Sequence, residues 1–473
     1  MNDSIDEIIQ TATMAAAEYS QFTQEQTDKI VKSVYEAAFN NRVMLAKMAN
    51  KETNIGIWEH KVLKNVVASQ LVYEDIKNLK TVGIINEDLD SGIVEIAQPM
   101  GPILAIIPVT NPTSTVIFKI LISLKSRNPI IICPSKKAIN CCSETARICY
   151  EAALKAGAPE GCIQWLTNVT REQTHDLMAH KGLSLILATG GSSLVKSAYS
   201  SGTPTIGVGA GNVPVYIEKS ADIPFAVEQI FMSKTFDNGT ICASEQAIVV
   251  EKEIEEKVIA EFKKLKAYFL NAEEIVLLSK LAIDSTSHLM NPEVVGRPAY
   301  EIAQKAGINA PEDVALLIAP LKAVGFEYPL SSEVLAPILA FYVVDNFEKA
   351  INMCIDLNYH GGIGHSVSIF SNNDEKIKYF ALHMNAGRIC VNTPSSQGAV
   401  GGMFNKLSPS LTLGCGTGGK NITTDNVTAK HLLNIQRISR RRPNERFVRF
   451  DVTKYLDENI KADEINELYN VNF

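Results

Sequence analysis

Disulfides are the first thing missing from these 473 residues. Nine cysteines lie scattered between Cys133 and Cys415, with no CxxC spacing and none of the density of a secreted scaffold. A reducing compartment, the cytoplasm, is the expectation. Uncharged apolar runs fall short of the roughly 20 residues a membrane helix needs, so no membrane partner is expected. Positive charge is not in excess: 45 Lys and Arg against 52 Asp and Glu leave a formal net charge of −7, which argues against broad electrostatic binding of nucleic acid. The opening MNDSIDEIIQ has neither the basic start nor the apolar core of a leader peptide. Histidines and carboxylates show no metal-ligand spacing, and neither a P-loop nor a GxSxG elbow occurs. No catalytic metal is expected. No period of 20–50 residues recurs and no low-complexity linker divides the chain.

With 46% hydrophobic residues, the chain is long enough for two or three domains with substantial cores. Residues 3–80 place apolar side chains three and four apart and read as helices, with Thr23 and Gln26 suited to a capping box. From residue 81 the period changes. A hairpin is predicted over 81–98, then a strand over 103–107, then an alternation of helices near 113–125, 138–156, 171–180 and 192–200 with strands in NPIIIC, CIQWL and LSLILA. Short buried strands between amphipathic helices imply an α/β fold with a parallel, doubly wound sheet. A second αβ region begins near 221 and runs to about 410. In RISRRRPNERFVRFDVTKY, a basic run followed by alternating apolar residues reads as an edge strand or arm, with an oligomer contact as its plainest use.

Four stretches carry residue types suited to chemistry. In FDNGTICASEQ, Cys242 follows the turn signal Asp237-Asn238-Gly239 and has small neighbours, so it reads either as a reachable nucleophile or as a small buried hydrophobe. In ATGGSSLVKSAYSSG, Thr189-Gly190-Gly191 falls between a strand and a helix, where glycines admit a phosphate or a ring close to the backbone. It is not a GxGxxG fingerprint. Gly207, Gly209 and Gly211 form a second glycine-rich approach, or simply a tight connection between strands. Asn111, in IIPVTNPTSTVIFK, ends a strand just before a helix and suits either an oxyanion donor or a helix cap. His365, after the glycines of HGGIGH, suits acid–base work or a purely structural place.

Taken in order, PVTNPTSTVIFK, ATGGSSLVKSAYSSG, GVGAGNVPV, SKTFDNGTICASEQ, GGIGH, NTPSSQG and SPSLTLGCGTGGKN resemble the aldehyde dehydrogenase superfamily, specifically its CoA-acylating branch. The likeness is to the N-terminal half of bifunctional aldehyde/alcohol dehydrogenases. It implies a Rossmann-type NAD-binding domain over 1–220, with the hairpin 81–98 in an oligomerisation arm. It further implies an α/β catalytic domain over 221–410 and a C-terminal return segment with the arm over 411–473. Cys242 matches the family nucleophile, Asn111 the oxyanion-stabilising asparagine, and His365 a histidine implicated in the acylating branch. On the cofactor side the resemblance implies Thr110, Ser135, Lys136, Thr189, Gly190, Gly191, Gly209 and Glu333, the last on the nicotinamide ribose. NAD is the cofactor it implies, and coenzyme A the co-substrate. Lys136 and Lys137 would accept a 2′-phosphate, which leaves NADP open.

Hydrolytic members carry a glutamate where this chain has Val208, so water lacks its base and a thioester is expected to persist until CoA takes the acyl group. The expected reaction is aldehyde + CoA + NAD to acyl-CoA + NADH, on a short aldehyde such as acetaldehyde. Gly418 replaces a family tryptophan and Lys420 adds a cation; the lysine would favour an anionic aldehyde, sulfoacetaldehyde or succinate semialdehyde, or else is a surface residue. Because the chain ends at Phe473 without the metal-dependent half, a separate alcohol dehydrogenase or aldehyde-producing enzyme is the expected pathway partner. The arm implies a homo-oligomer. From another functional class, a non-catalytic oligomeric assembly module remains the alternative.

Overall fold

Thr23 and Gln26 close a reciprocal capping box at the start of helix Gln24–Asn40, as their spacing predicts. This helix belongs to an N-terminal layer with Ile5–Tyr19, Arg42–Thr53 and Trp58–Val66, the last continuing through a π-helical turn, Val67–Leu71, into Val72–Ile76. The structure, a computed structural model, describes residues 4–168 and 170–471. Among the described residues no helix is long and apolar enough to cross a membrane.

The strands, in chain order, are β1 (Gly83–Asp88), β2 (Ile93–Pro99), β3 (Ile103–Ile107), β4 (Ile130–Pro134), β5 (Ile163–Trp165), β6 (Leu185–Thr189), β7 (Thr205–Val208), β8 (Val213–Ile217), β9 (Glu245–Glu251), β10 (Ala267–Phe269), β11 (Leu316–Pro320), β12 (Ile338–Val344), β13 (Gly364–Phe370), β14 (Ala386–Val391) and β15 (Leu433–Ser439). They form three sheets. The first is parallel with order β5-β4-β3-β6-β7, so the chain winds outward from β3, returns, and reverses direction between β3 and β6. In open parallel sheets ligands bind at such a reversal, outside the carboxyl ends of the strands. The second sheet is also parallel, in the order β10-β11-β12-β9-β8-β13-β14.

Helix Pro112–Lys125 is buried along all 14 residues, wedged between the first sheet and the N-terminal layer. Each fully buried Ile, Leu or Phe there contributes about 1.5–3 kcal/mol relative to exposure. That burial anchors the residue just ahead of the helix, Asn111.

The third sheet is antiparallel, β1-β2-β15, with β2 central. The hairpin over 81–98 is present. The C-terminal expectation needs correcting. The strand ends at Ser439, at the basic run rather than beyond it, and the alternating residues that follow fold into helices Glu445–Arg449 and Thr453–Leu456, then Ala462–Val471. The Asn444 side chain caps the first of these by accepting from the Phe447 N–H at 3.2 Å, and Phe450 packs its ring against Tyr455 and Tyr469. Cap and aromatic cluster outweigh a two-residue alternation too short to hold a strand.

Candidate active site

Cys242 sits in a turn immediately before β9, closed by the Ser244 N–H donating to the Ile241 carbonyl at 2.9 Å. All nine cysteines are free; eight are buried, and Cys242 alone is partly exposed. Its Sγ lies 3.2 Å from Nε2 of His365, which enters from the start of β13. Nδ1 is 3.1 Å from Ser366 Oγ, a hydroxyl that accepts from Arg388 Nε and can accept from or donate to the ring; with the ring proton on Nδ1, Nε2 offers its lone pair to the thiol. Burial, with Arg388 adding to it, pushes His365 down to about 3. Burial, reinforced by the Glu333 carboxyl, pushes the Cys242 thiol up to about 12. The resting pair is therefore a neutral thiol facing a neutral base. Gly211 makes the approach possible: a Cβ there would stand 2.5 Å from the Cys242 carbonyl oxygen and 3.0 Å from the His365 ring.

Asn111 occupies the N-cap position of helix Pro112–Lys125, yet makes no capping hydrogen bond. Its amide is committed elsewhere. Nδ2 donates to Thr110 Oγ1 at 3.0 Å and to the Thr240 carbonyl at 3.3 Å, while Oδ1 accepts from Lys64 Nζ at 2.6 Å. Lys64 and Lys61 both bind Asp237 Oδ2, at 2.5 and 2.9 Å. Asp237 Oδ1 accepts from the Ile57 N–H at 2.6 Å, and the Asp237 N–H donates to His60 Nδ1 at 2.8 Å. Burial works against the Asp237 charge, but the two ammonium groups hold its carboxyl below its ordinary value. Burial lowers Lys64 to about 8, against the attraction of Asp237. Asp237 and Asn238 take left-handed conformations, at φ 52° and 53°, and the carboxylate fits only because Gly56 has no side chain.

Other residues singled out in the sequence stand at the carboxyl ends of the first sheet. Thr110 follows β3, its carbonyl accepting from Lys61 Nζ at 3.2 Å. Ser135, Lys136 and Lys137 follow β4, with both lysines exposed. Thr189 ends β6, and Gly190 and Gly191 lead into helix Ser192–Tyr199. The Thr189 hydroxyl is buried with no hydrogen-bond partner among the described residues, and a Cβ on Gly191 would meet no atom within 4 Å. An orphaned hydroxyl beside an open glycine turn is a cradle for a polar ligand. Gly209 lies in the link between β7 and β8. Glu333 reaches the same region: its Oε1 accepts from the Gly211 N–H at 2.8 Å, and burial raises its carboxyl to about 7. Val208 is buried at the end of β7 in register with Thr189. Lys420 is exposed after a short 3₁₀ turn, Thr417–Gly419.

The site thus joins the carboxyl ends of the first sheet to the amino ends of β9 and β13 in the second. Cys242, His365, Asn111 and Glu333 converge there, while Lys136 and Lys420 remain at the surface. Sequence reasoning missed Lys61, Lys64, Asp237 and Arg388. The one signal was the i, i+3 spacing of the two lysines on a helix, which reads equally well as a solvated face.

Comparison with known proteins gives this arrangement its relatives. The model of the aldehyde dehydrogenase family matches residues 1–269. The chain is 44% identical to aldehyde-alcohol dehydrogenase 2 of Entamoeba histolytica over 95% of this chain and 53% of that protein. It is 36% identical to the succinate-semialdehyde dehydrogenase (acetylating) of Clostridium kluyveri over 92% of this chain and 95% of the relative. The crystal structure of an acetylating aldehyde dehydrogenase from Geobacillus thermoglucosidasius superposes with a TM-score of 0.90 at 48% identity, over 93% of this chain and 97% of that one. The chain spans about half the length of the aldehyde-alcohol dehydrogenases it matches and nearly all of the other two. With a family model over more than half of its residues and a near-full-length relative, the chain belongs to the aldehyde dehydrogenase family.

Proposed function

We propose that the protein is a CoA-acylating aldehyde dehydrogenase with Cys242 as nucleophile. The observation that carries this reading is the 3.2 Å approach of Cys242 Sγ to Nε2 of a neutral imidazole. In the forward direction Sγ attacks the aldehyde carbon as its proton passes to His365 Nε2, forming a thiohemiacetal. Asn111 Nδ2, exchanging its long 3.3 Å bond to the Thr240 carbonyl for the substrate, and the Cys242 backbone N–H donate to the oxygen that gains charge. Loss of the C–H hydrogen with its electron pair leaves a thioester on Cys242 and a proton on His365 that passes to solvent; the CoA thiol then takes over the acyl group, and its proton returns the cysteine to its thiol form. Val208 offers no base to water, so transfer to CoA outruns hydrolysis.

Thr110, Ser135, Lys136, Thr189, Gly190, Gly191, Gly209 and Glu333 would hold a nicotinamide dinucleotide. The unpartnered Thr189 hydroxyl and the open space at Gly191 fit one. When bound, that cofactor supplies the two-electron acceptor. NAD is the preferred form; the exposed Lys136 and Lys137 suit a 2′-phosphate as well.

The cofactor-binding half runs to the link 209–212 rather than to 220, because β8 already lies in the second sheet; the catalytic half follows to about 410, and the exposed β1 edge with its hairpin joins copies of the chain. Acetaldehyde is the first substrate to test. An anionic aldehyde is the second, favoured by the near-full-length likeness to a relative named for succinate semialdehyde. The experiment is NADH formation from a panel of aldehydes, with and without CoA. NADH and acyl-CoA in equal amounts, only when CoA is present, is the expected result. NADH formation indifferent to CoA refutes the acylating reading, and no turnover of any aldehyde favours an assembly module.

A further inference from the structure

Asn111 can stabilise an oxyanion only if its amide presents Nδ2, not Oδ1, to the turn that carries Cys242. Nothing in the Asn111 side chain itself decides this, because an amide turned by half a rotation fills the same space. The neighbour decides it. Lys64 carries an ammonium, which has three donors and no acceptor, and it stands 2.6 Å from the amide. The atom facing it must be Oδ1, which turns Nδ2 toward the Thr240 carbonyl, two residues from Cys242.

Lys64 in turn has no freedom to leave. Its other donors go to Asp237 Oδ2 and Thr240 Oγ1, at 2.5 and 2.9 Å, and it lies 5.7 Å from the Phe236 ring centre. Phe236 is itself stacked on His60. Asp237 is shared with Lys61, so two cations meet one carboxylate and the cluster keeps an unbalanced positive charge beside the oxyanion position.

We propose that Lys64 is the positioning residue of the oxyanion site, holding Asn111 Oδ1 so that the Nδ2 proton now on the Thr240 carbonyl at 3.3 Å is the one that turns to the reacting carbonyl oxygen, with Asp237 fixing the ammonium. This rests on the reading of Cys242 and Asn111 given above. Lys61 is the natural control: it binds the same carboxylate and carries the same charge, but its remaining contact is the Thr110 carbonyl, not the amide.

The test is a double-mutant cycle in the full chain, reading CoA-dependent NADH formation for Asn111→Ala, Lys64→Met, the pair together, and Lys61→Met. Lys64→Met is expected to lower kcat by about 10- to 100-fold, part of the effect of losing an oxyanion donor, with KM for aldehyde and cofactor nearly unchanged. The double variant is expected to be no worse than Asn111→Ala alone, because a positioning residue has nothing left to position. Lys61→Met is expected to cost several-fold less than Lys64→Met. If Lys64→Met does not accumulate as soluble protein, Lys64→Gln replaces it under the same criteria, since a glutamine amide carries both donor and acceptor and no longer enforces one orientation. A kcat within twofold of the parent at position 64, losses that multiply in the double variant, or an equal loss from Lys61→Met overturns the proposal. Full activity in Asn111→Ala overturns the oxyanion assignment itself, and the Lys64 proposal with it.

Discussion

Replacing His365 with Gln asks how the thiol is activated. A thiol titrating near 12, as burial makes Cys242, is ionised in roughly one molecule in 30,000 at pH 7.5, and ionising it costs about 6 kcal/mol there. His365, pushed down to about 3, is not charged in the resting site and does not hold a standing thiolate by ion pairing. In the proposed mechanism the imidazole instead takes the proton during attack, a role typically worth about 10²–10⁴ in rate. His365→Gln keeps a group of similar reach but cannot accept a proton. Its kcat/KM should fall by about 10³ at pH 7.5 and recover about tenfold per pH unit as hydroxide substitutes for the base. Alkylation of Cys242 by iodoacetamide in the parent protein should rise about tenfold per pH unit between pH 6 and 9 without levelling off. A plateau with an inflection near pH 6–7 would mean a pre-formed thiolate–imidazolium pair, and would refute the reasoning. So would an unimpaired His365→Gln variant.

Gly211→Ala should leave the fold intact but drive a methyl into the Cys242 carbonyl and the His365 ring, lowering kcat by at least about tenfold; steady-state kinetics beside a circular dichroism spectrum checks this. Thr189→Val removes a buried hydroxyl with no partner, so the cofactor-free protein should gain about 1 kcal/mol in denaturant unfolding while NAD binds more weakly by calorimetry. Both changes with the same sign would be inconsistent with a cofactor contact there. Glu245 is buried at the start of β9, and burial raises its carboxyl to about 7 from an ordinary 4.5. The folded protein therefore resists its ionisation, and this cost to stability grows as pH climbs from 4.5 through 7. Glu245→Gln should accordingly stabilise the protein by up to about 3 kcal/mol at pH 8 and by only about 1 kcal/mol at pH 5.5. Thermal melts showing an equal gain at both values would contradict it.

The first sheet was legible because its strands are unbroken apolar runs such as NPIIIC and LSLILA, bounded by helices with clear period. Local pattern is enough where burial on both faces writes itself into every residue. The segment after Ser439 misled for the opposite reason: a few alternating apolar residues weigh little against an Asn444 cap and an aromatic cluster closed by Tyr469. Cys242 and His365 were legible as residue types in glycine-rich settings, but their meeting joins positions 123 residues apart and leaves no mark in either neighbourhood. Lys61 and Lys64 were least legible. Charged side chains on a helix read as exposed, and only Asp237, contacted by Lys64 across 173 residues, makes their burial tolerable.

Asn111 arrives on a helix packed against the first sheet, and Cys242 on a turn feeding the second; only four residues, 209–212, join β7 to β8 between them. Reactivity is therefore a property of the docked halves and of neither alone. During synthesis Cys242 emerges more than a hundred residues before His365, so a half-made chain carries that thiol without its imidazole neighbour. On the proposed mechanism the clasp of two lysines on one aspartate also acts as an assembly check: until it closes, the Asn111 amide is not aimed.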